Sequence, residues 1–175
     1  MNHADLVSLI EDGVDERGGQ WADLGSGEGA FTLALADLVG PGVRISAVDR
    51  DSRALQTLAV QMGKRFPDVA IETKTADFTG PLGLANLDGV VMANSLHFVR
   101  DKAPVVASVR NMLRPGGRLI VVEYGTDRGN PWVPHPFSYQ SWEKMAAQAG
   151  FVRTRLLRTI PSRHFGSMYS AVSER

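Results

Sequence analysis

At 175 residues the chain is long enough for one domain with its own core and too short for two ordinary ones. Apolar residues make up 43% and charged residues 22%, which excludes disordered and fibrous classes; nineteen basic residues cancel nineteen acidic ones, so no net field favours nucleic acid or an anionic membrane. There are no cysteines, hence no disulfides, thiolate metal sites or cysteine nucleophiles, and without a signal segment or a run of roughly 20 apolar residues a soluble cytoplasmic domain is expected.

The elements follow in alternation. Leu6, Leu9, Ile10 and Val14 recur at helical spacing, so residues 5–14 predict an amphipathic helix within an N-terminal segment 1–17. Gly18-Gly19 ends it, and residues 20–24 read as a strand. Three glycines at every second position follow (Gly25, Gly27, Gly29), then a helix to about Val39. Gly40-Pro41-Gly42 breaks the chain, and residues 43–48 form a second strand that stops at Asp49. Asp51 or Ser52 caps a helix running to about Lys64. Residues 69–75 alternate as a third strand, and residues 88–93 are a compact apolar run, a buried fourth strand. A helix over 101–113 is halted by Pro115-Gly116-Gly117, a structural break, and residues 118–124 form a fifth strand. A long loop with three prolines spans 125–136, a helix spans 139–149, and strands over 151–159 and 165–172 pair antiparallel across the link 160–164. Strand–helix alternation predicts a mostly parallel sheet covered on both faces, with ligands at the carboxyl ends of the strands.

A strand that ends in glycines and restarts as a helix offers free N–H groups and a positive dipole end to a ligand. In the dinucleotide motif G-x-G-x-x-G the third glycine comes five positions after the first; here Gly29 comes four after Gly25, with Asp23 two before it. Asp49 at the end of the second strand is placed to accept from ribose hydroxyls, with a helix cap as its structural alternative. Asp77 at the end of the third is placed to accept from an exocyclic amine while the Phe78 N–H donates to a ring nitrogen; the alternative is a local turn.

The segments Ala22–Gly29, Ala47–Asp51, Ala76–Phe78, Val90–Phe98 and Leu113–Leu119 together resemble the class I S-adenosylmethionine-dependent methyltransferases, and the resemblance covers nearly the whole chain. It implies a Rossmann-like, doubly wound α/β fold: a seven-stranded, mostly parallel sheet with an antiparallel last strand, in a three-layer α/β/α sandwich formed by residues 1–175 as one domain. It also implies that Asp23 and the loop Gly25, Ser26, Gly27 and Gly29 hold the methionine part of S-adenosylmethionine. Asp49 would bind ribose, Asp77 and Phe78 the adenine edge, and Asn94 would lie by the amino-acid end. Arg50 stands where the family often has an apolar residue against adenine; its stem or guanidinium plane is the expected cover.

His97 is the candidate general base and substrate contact, with a structural histidine in a first helical turn as the alternative. Trp132 and His135 are candidate substrate contacts in a lid formed by residues 125–136. The expected activity is methyl transfer to an O, N or C nucleophile of a small molecule, with no metal. The competing classes are a dinucleotide-dependent oxidoreductase and a non-catalytic S-adenosylmethionine-binding protein. Nucleic acid and membrane partners are not expected. Only the N-terminal helix and the 125–136 loop are available as a roof, which predicts an open site, a large substrate, or a roof completed by a second subunit in a homodimer.

Overall fold

The computed structural model describes residues 1–14, 18–163 and 165–175. Residues 15–17 of the N-terminal segment and His164 of the hairpin link lie outside the described residues. In chain order the elements are α1 (His3–Ile10), β1 (Gln20–Leu24), α2 (Ala30–Val39), β2 (Arg44–Asp49), α3 (Ser52–Arg65), β3 (Ala70–Thr75) and β4 (Leu87–Ala93). They continue with α4 (Ala103–Met112), β5 (Leu113–Tyr124), α5 (Tyr139–Gln148), β6 (Val152–Ser162) and β7 (Gly166–Glu174).

The seven strands run in the order β3-β2-β1-β4-β5-β7-β6. β1 pairs parallel with both β2 and β4, so the strand order switches beside the first glycine loop. β7 pairs antiparallel with β5 and with β6, inserting the last strand between them. The sheet is therefore the expected one, with a single antiparallel member.

Alternation along the central strands sends side chains into two cores. Trp21, Ile45, Ala47, Val91 and Ile120 face the layer of α1, α2 and α3. Ala22, Val48, Val90, Met92 and Val121 face α4 and α5. A residue pair one position apart thus serves opposite layers, and a slip of one residue would exchange both.

Local chemistry accounts for the helix boundaries. Asn2 and Asp5 form a capping box on α1, Asp51 caps α3 by accepting from the Arg53 and Ala54 N–H groups, and Ser138 caps α5. Lys64 and Arg65 close α3, where cations suit the carboxyl end of the dipole. In α4 the helix ends at Met112; Leu113 pairs with Leu87, Arg118 with Gly89, and the Pro-Gly-Gly stretch between them bulges from the ladder.

The N-terminal helix is shorter than expected: α1 stops at Ile10 and a single 3-10 turn, Glu11–Gly13, follows. It also serves a different purpose. Leu9 and Ile10 are fully buried in the first core, each contributing about 1.5–3 kcal/mol by leaving water, and Glu11 pairs with Arg158 of β6. α1 is a member of the helical layer and not a roof over the site. Among the described residues no helix is long and apolar enough to cross a membrane.

Candidate active site

Gly25, Gly27 and Gly29 all lie at positive φ (82°, 52° and 91°). Two of them need glycine for different reasons. A Cβ on Gly29 would stand 2.1 Å from Leu58 Cδ1, so this glycine lets α2 pack on α3. A Cβ on Gly27 would meet no atom within 4 Å; it would project into open space at the loop. The first-turn N–H groups of α2 receive no side-chain cap from Gly29.

Asp23 is 1% exposed and lies under this helix start. Its Oδ2 accepts from Thr32 Oγ1 at 2.6 Å. Burial pushes its carboxyl up to about 7, the Thr32 hydrogen bond opposing and the neighbouring Asp49 charge adding to the rise. Asp49, ending β2, accepts the Gly27 N–H at 2.8 Å on Oδ2 and the Asp51 N–H at 2.9 Å on Oδ1. The β2 carboxylate thereby fixes the glycine loop and still keeps lone pairs for a ligand. Helix capping falls to Asp51, so Asp49 is free of that task.

Asp77 is exposed, and its Oδ1 accepts from both the N–H and Oγ1 of Thr79, at 2.9 and 2.7 Å. These bonds, with a smaller contribution from Arg50, hold its carboxyl below the ordinary range. The Arg50 guanidinium stands 3.7 Å from Asp77 Oδ2. The expected adenine cover is thus paired with the expected adenine-edge carboxylate, because a cation at this strand end is drawn to the nearest anion. Phe78 is half-buried, with its ring edge 3.4 Å from where a Gly25 Cβ would be.

Among the described residues, two polar side-chain atoms in this region are buried without a hydrogen-bond partner, Ser26 Oγ and Asn94 Oδ1. Asn94 follows β4 in a left-handed conformation, φ 52°. A buried polar atom left unpaired costs about 1–3 kcal/mol, so both are suited to a ligand that brings hydrogen-bonding groups. With the open face of Gly27 and the carboxylates of Asp23 and Asp49, the residues fit a cofactor carrying an ammonium group and a ribose.

Beside Asn94 opens a cavity of about 570 Å³. His97 and Phe98 line it from the 3-10 turn after β4, and Tyr124 from the end of β5. Asn130, Trp132 and Val133 line it from the 125–136 loop, and Phe165 from the β6–β7 hairpin. The loop is held in shape: Asn130 Oδ1 accepts from the N–H groups of Trp132 and Val133, both at 2.9 Å, and Asp127 accepts from the Ser138 N–H. His135 is not among the lining residues; its main-chain N–H donates to the His97 carbonyl at 3.0 Å, tying the loop to the turn.

Beneath the cavity lies a residue that sequence reasoning missed. Glu123, 0% exposed, accepts the His97 N–H on Oε1 at 3.1 Å and faces His97 Nδ1 with Oε2 at 2.8 Å. An ionised carboxylate only accepts, so in a neutral imidazole facing it the proton sits on Nδ1 and the lone pair on Nε2. Lys102 lies near enough to feel the Glu123 charge, which partly offsets the lowering of its ammonium by burial. The available signal was a lone acidic residue inside the apolar run 119–124. Among the described residues no group of three or more His, Asp or Glu side chains is arranged to hold a metal.

The switch in strand order, the glycine loop at its carboxyl edge and the acidic ends of β1 and β2 define a Rossmann-like domain of the adenosyl-cofactor type. The family model of the methyltransferase domain matches residues 22–119, and the chain belongs to the class I S-adenosylmethionine-dependent methyltransferase family. It is similar to an O-methyltransferase of Penicillium expansum, 27% identical over 64% of this chain and 40% of that protein. It is also similar to a ubiquinone/menaquinone biosynthesis C-methyltransferase of Hahella chejuensis, 28% identical over 74% of this chain and 52% of that one. The chain thus spans about half the length, or less, of these curated relatives. In fold it matches the 1,6-didemethyltoxoflavin N1-methyltransferase of Burkholderia thailandensis, solved with bound 1,6-didemethyltoxoflavin and S-adenosylhomocysteine, with a TM-score of 0.79 and 17% identity over 99% of this chain and 77% of that one.

Proposed function

We propose that the chain is an enzyme that binds S-adenosylmethionine at the glycine loop and transfers its methyl group to a small molecule held in the adjoining cavity. Support comes from one continuity in the structure. Ser95 Oγ donates to the Leu24 carbonyl at 2.8 Å, anchoring the β4 turn to the residue before Gly25, and Asn94 beside it lines the cavity that His97 enters. This continuity supports a cofactor at the glycine loop with its methyl group directed past Asn94 toward the cavity.

Asp23 and the N–H groups of the loop would hold the methionine portion, Asp49 the ribose hydroxyls, and Asp77 Oδ2 with Phe78 the adenine edge. The cofactor supplies a methyl group already activated on a sulfonium. What the chain must add is alignment, worth effective molarities on the order of 10⁵ M or more for well-oriented reactants. Where the acceptor arrives protonated, His97 Nε2 would take the proton, with Glu123 orienting the ring and stabilising its charged form. The relatives include an O- and a C-methyltransferase, and both kinds of acceptor suit a base in an otherwise neutral cavity.

Calorimetric titration tests this directly. Micromolar binding of S-adenosylmethionine with no binding of NAD is the expected result; the reverse would establish the dinucleotide alternative.

A further inference from the structure

Resting on the transferase reading above, we infer that the acceptor is a hydroxylated aromatic ring, bound flat among the cavity's aromatic side chains with its hydroxyl at His97 Nε2. Among the described residues that line the cavity there is no Asp, Glu, Lys or Arg. The polar groups they present are few. Asn130 uses its Oδ1 in the turn that carries Trp132, and Asn94 lines the cavity next to Ser95, whose Oγ donates to the Leu24 carbonyl. A polyol would leave most of its hydroxyls unpaired here.

A cationic amine fares no better. Glu123, the carboxylate beneath the cavity, is fully buried, and both of its oxygens are engaged by His97. What the cavity offers in quantity is π-surface. The Tyr124 ring lies 5.1 Å from Phe165 and 5.8 Å from His97, and His97 lies 4.3 Å from Phe98, all at tilted angles. Phe98 is 56% exposed and Trp132 80% exposed, and both border this one cavity. Two large aromatic side chains left in water, one on a hydrogen-bonded turn and one on a short helical turn, provide apolar area for a ring to cover.

The chemistry balances without a further reactant. The bond formed joins the ring oxygen to the methyl carbon; the bond broken is carbon to sulfur, whose electron pair stays on the sulfur. The hydroxyl proton passes to His97 Nε2, and from the Glu123-paired imidazolium to solvent.

4-Nitrophenol tests this without methyl transfer, because its phenol and phenolate absorb at different wavelengths. With S-adenosylhomocysteine present, the wild-type protein is expected to bind nitrophenol and increase its phenolate absorbance, whereas His97→Ala binds it without the spectral change. Trp132→Ala and Phe98→Ala, both at exposed positions that the fold does not need, are expected to weaken binding at least tenfold. 2-Naphthol should displace the probe; benzylamine and cyclohexanol should not. Displacement by benzylamine in preference to naphthol, or an unchanged spectrum in the wild type, overturns the proposal. Calorimetry of S-adenosylmethionine separates the two levels: cofactor binding without nitrophenol binding refutes the aromatic acceptor alone, and loss of both refutes the transferase as well.

Discussion

Asp23→Asn is the most informative single change, because it acts on stability and on ligand binding with opposite signs. The buried carboxyl has its pKa raised from 3.8 to about 7. Above pH 3.8 the unfolded chain releases this proton, while the folded chain retains it until about pH 7. The folded state therefore binds more protons, and stability falls as pH rises across that window. At about 1.4 kcal/mol for each pH unit between those two values, the whole penalty is on the order of 4 kcal/mol. Asparagine keeps an acceptor for Thr32 and does not titrate. In urea unfolding at intervals from pH 5 to pH 8, the stability of Asp23→Asn minus that of the wild type should increase by about 2–3 kcal/mol, whatever the other groups do. A difference constant with pH would refute the assignment of a burial-raised carboxyl.

The same variant should bind S-adenosylmethionine less tightly. If the cofactor's ammonium draws Asp23 into its charged form, wild-type binding at pH 6 releases close to one proton. Calorimetry in buffers of different ionisation enthalpy would measure this release, and Asp23→Asn should abolish it.

Other outcomes follow from single contacts. Gly27→Ala adds a Cβ that meets no protein atom, so it should cost only about 1–2 kcal/mol of left-handed strain while weakening cofactor binding at least tenfold. Gly29→Ala should instead destabilise the fold by about 2–5 kcal/mol, seen as a lowered urea midpoint, since its Cβ would strike Leu58. Glu123→Gln should lower kcat about 100-fold and leave KM little changed; a comparable rise in KM would assign Glu123 to packing. Asp49→Asn should reduce cofactor affinity about tenfold or more with a stability change of about 1 kcal/mol, because both of its hydrogen bonds come from main-chain N–H groups that an amide oxygen satisfies only in part.

Much of this molecule is local. The apolar runs 20–24, 88–93 and 118–124 and the glycine breaks between them predict strands, because a parallel strand buried on both faces cannot be polar at any position for long. Asp23, Asp49 and Asp77 are recognisable because each stands at or just beyond the carboxyl end of a predicted strand, over 20–24, 43–48 and 69–75 respectively. The site side chains contributed by distant segments carry no such mark. Phe165 lies forty-one positions from Tyr124 in sequence and 5.1 Å away in space. Arg50 and Asp77 come to 3.7 Å because parallel pairing of β2 with β3 sets their strand ends side by side.

The sequence alone therefore determined the order of elements, the glycine loop and the kind of cofactor it suits, since these depend on backbone conformations that neighbouring residues impose. Only the tertiary structure decided that α1 joins a helical layer, that His135 secures the loop by its main chain, and that Glu123 stands under His97. Those outcomes depend on which strands lie beside one another, and the pairing of β5 with β4 and β7 is set by burial summed over the whole sheet.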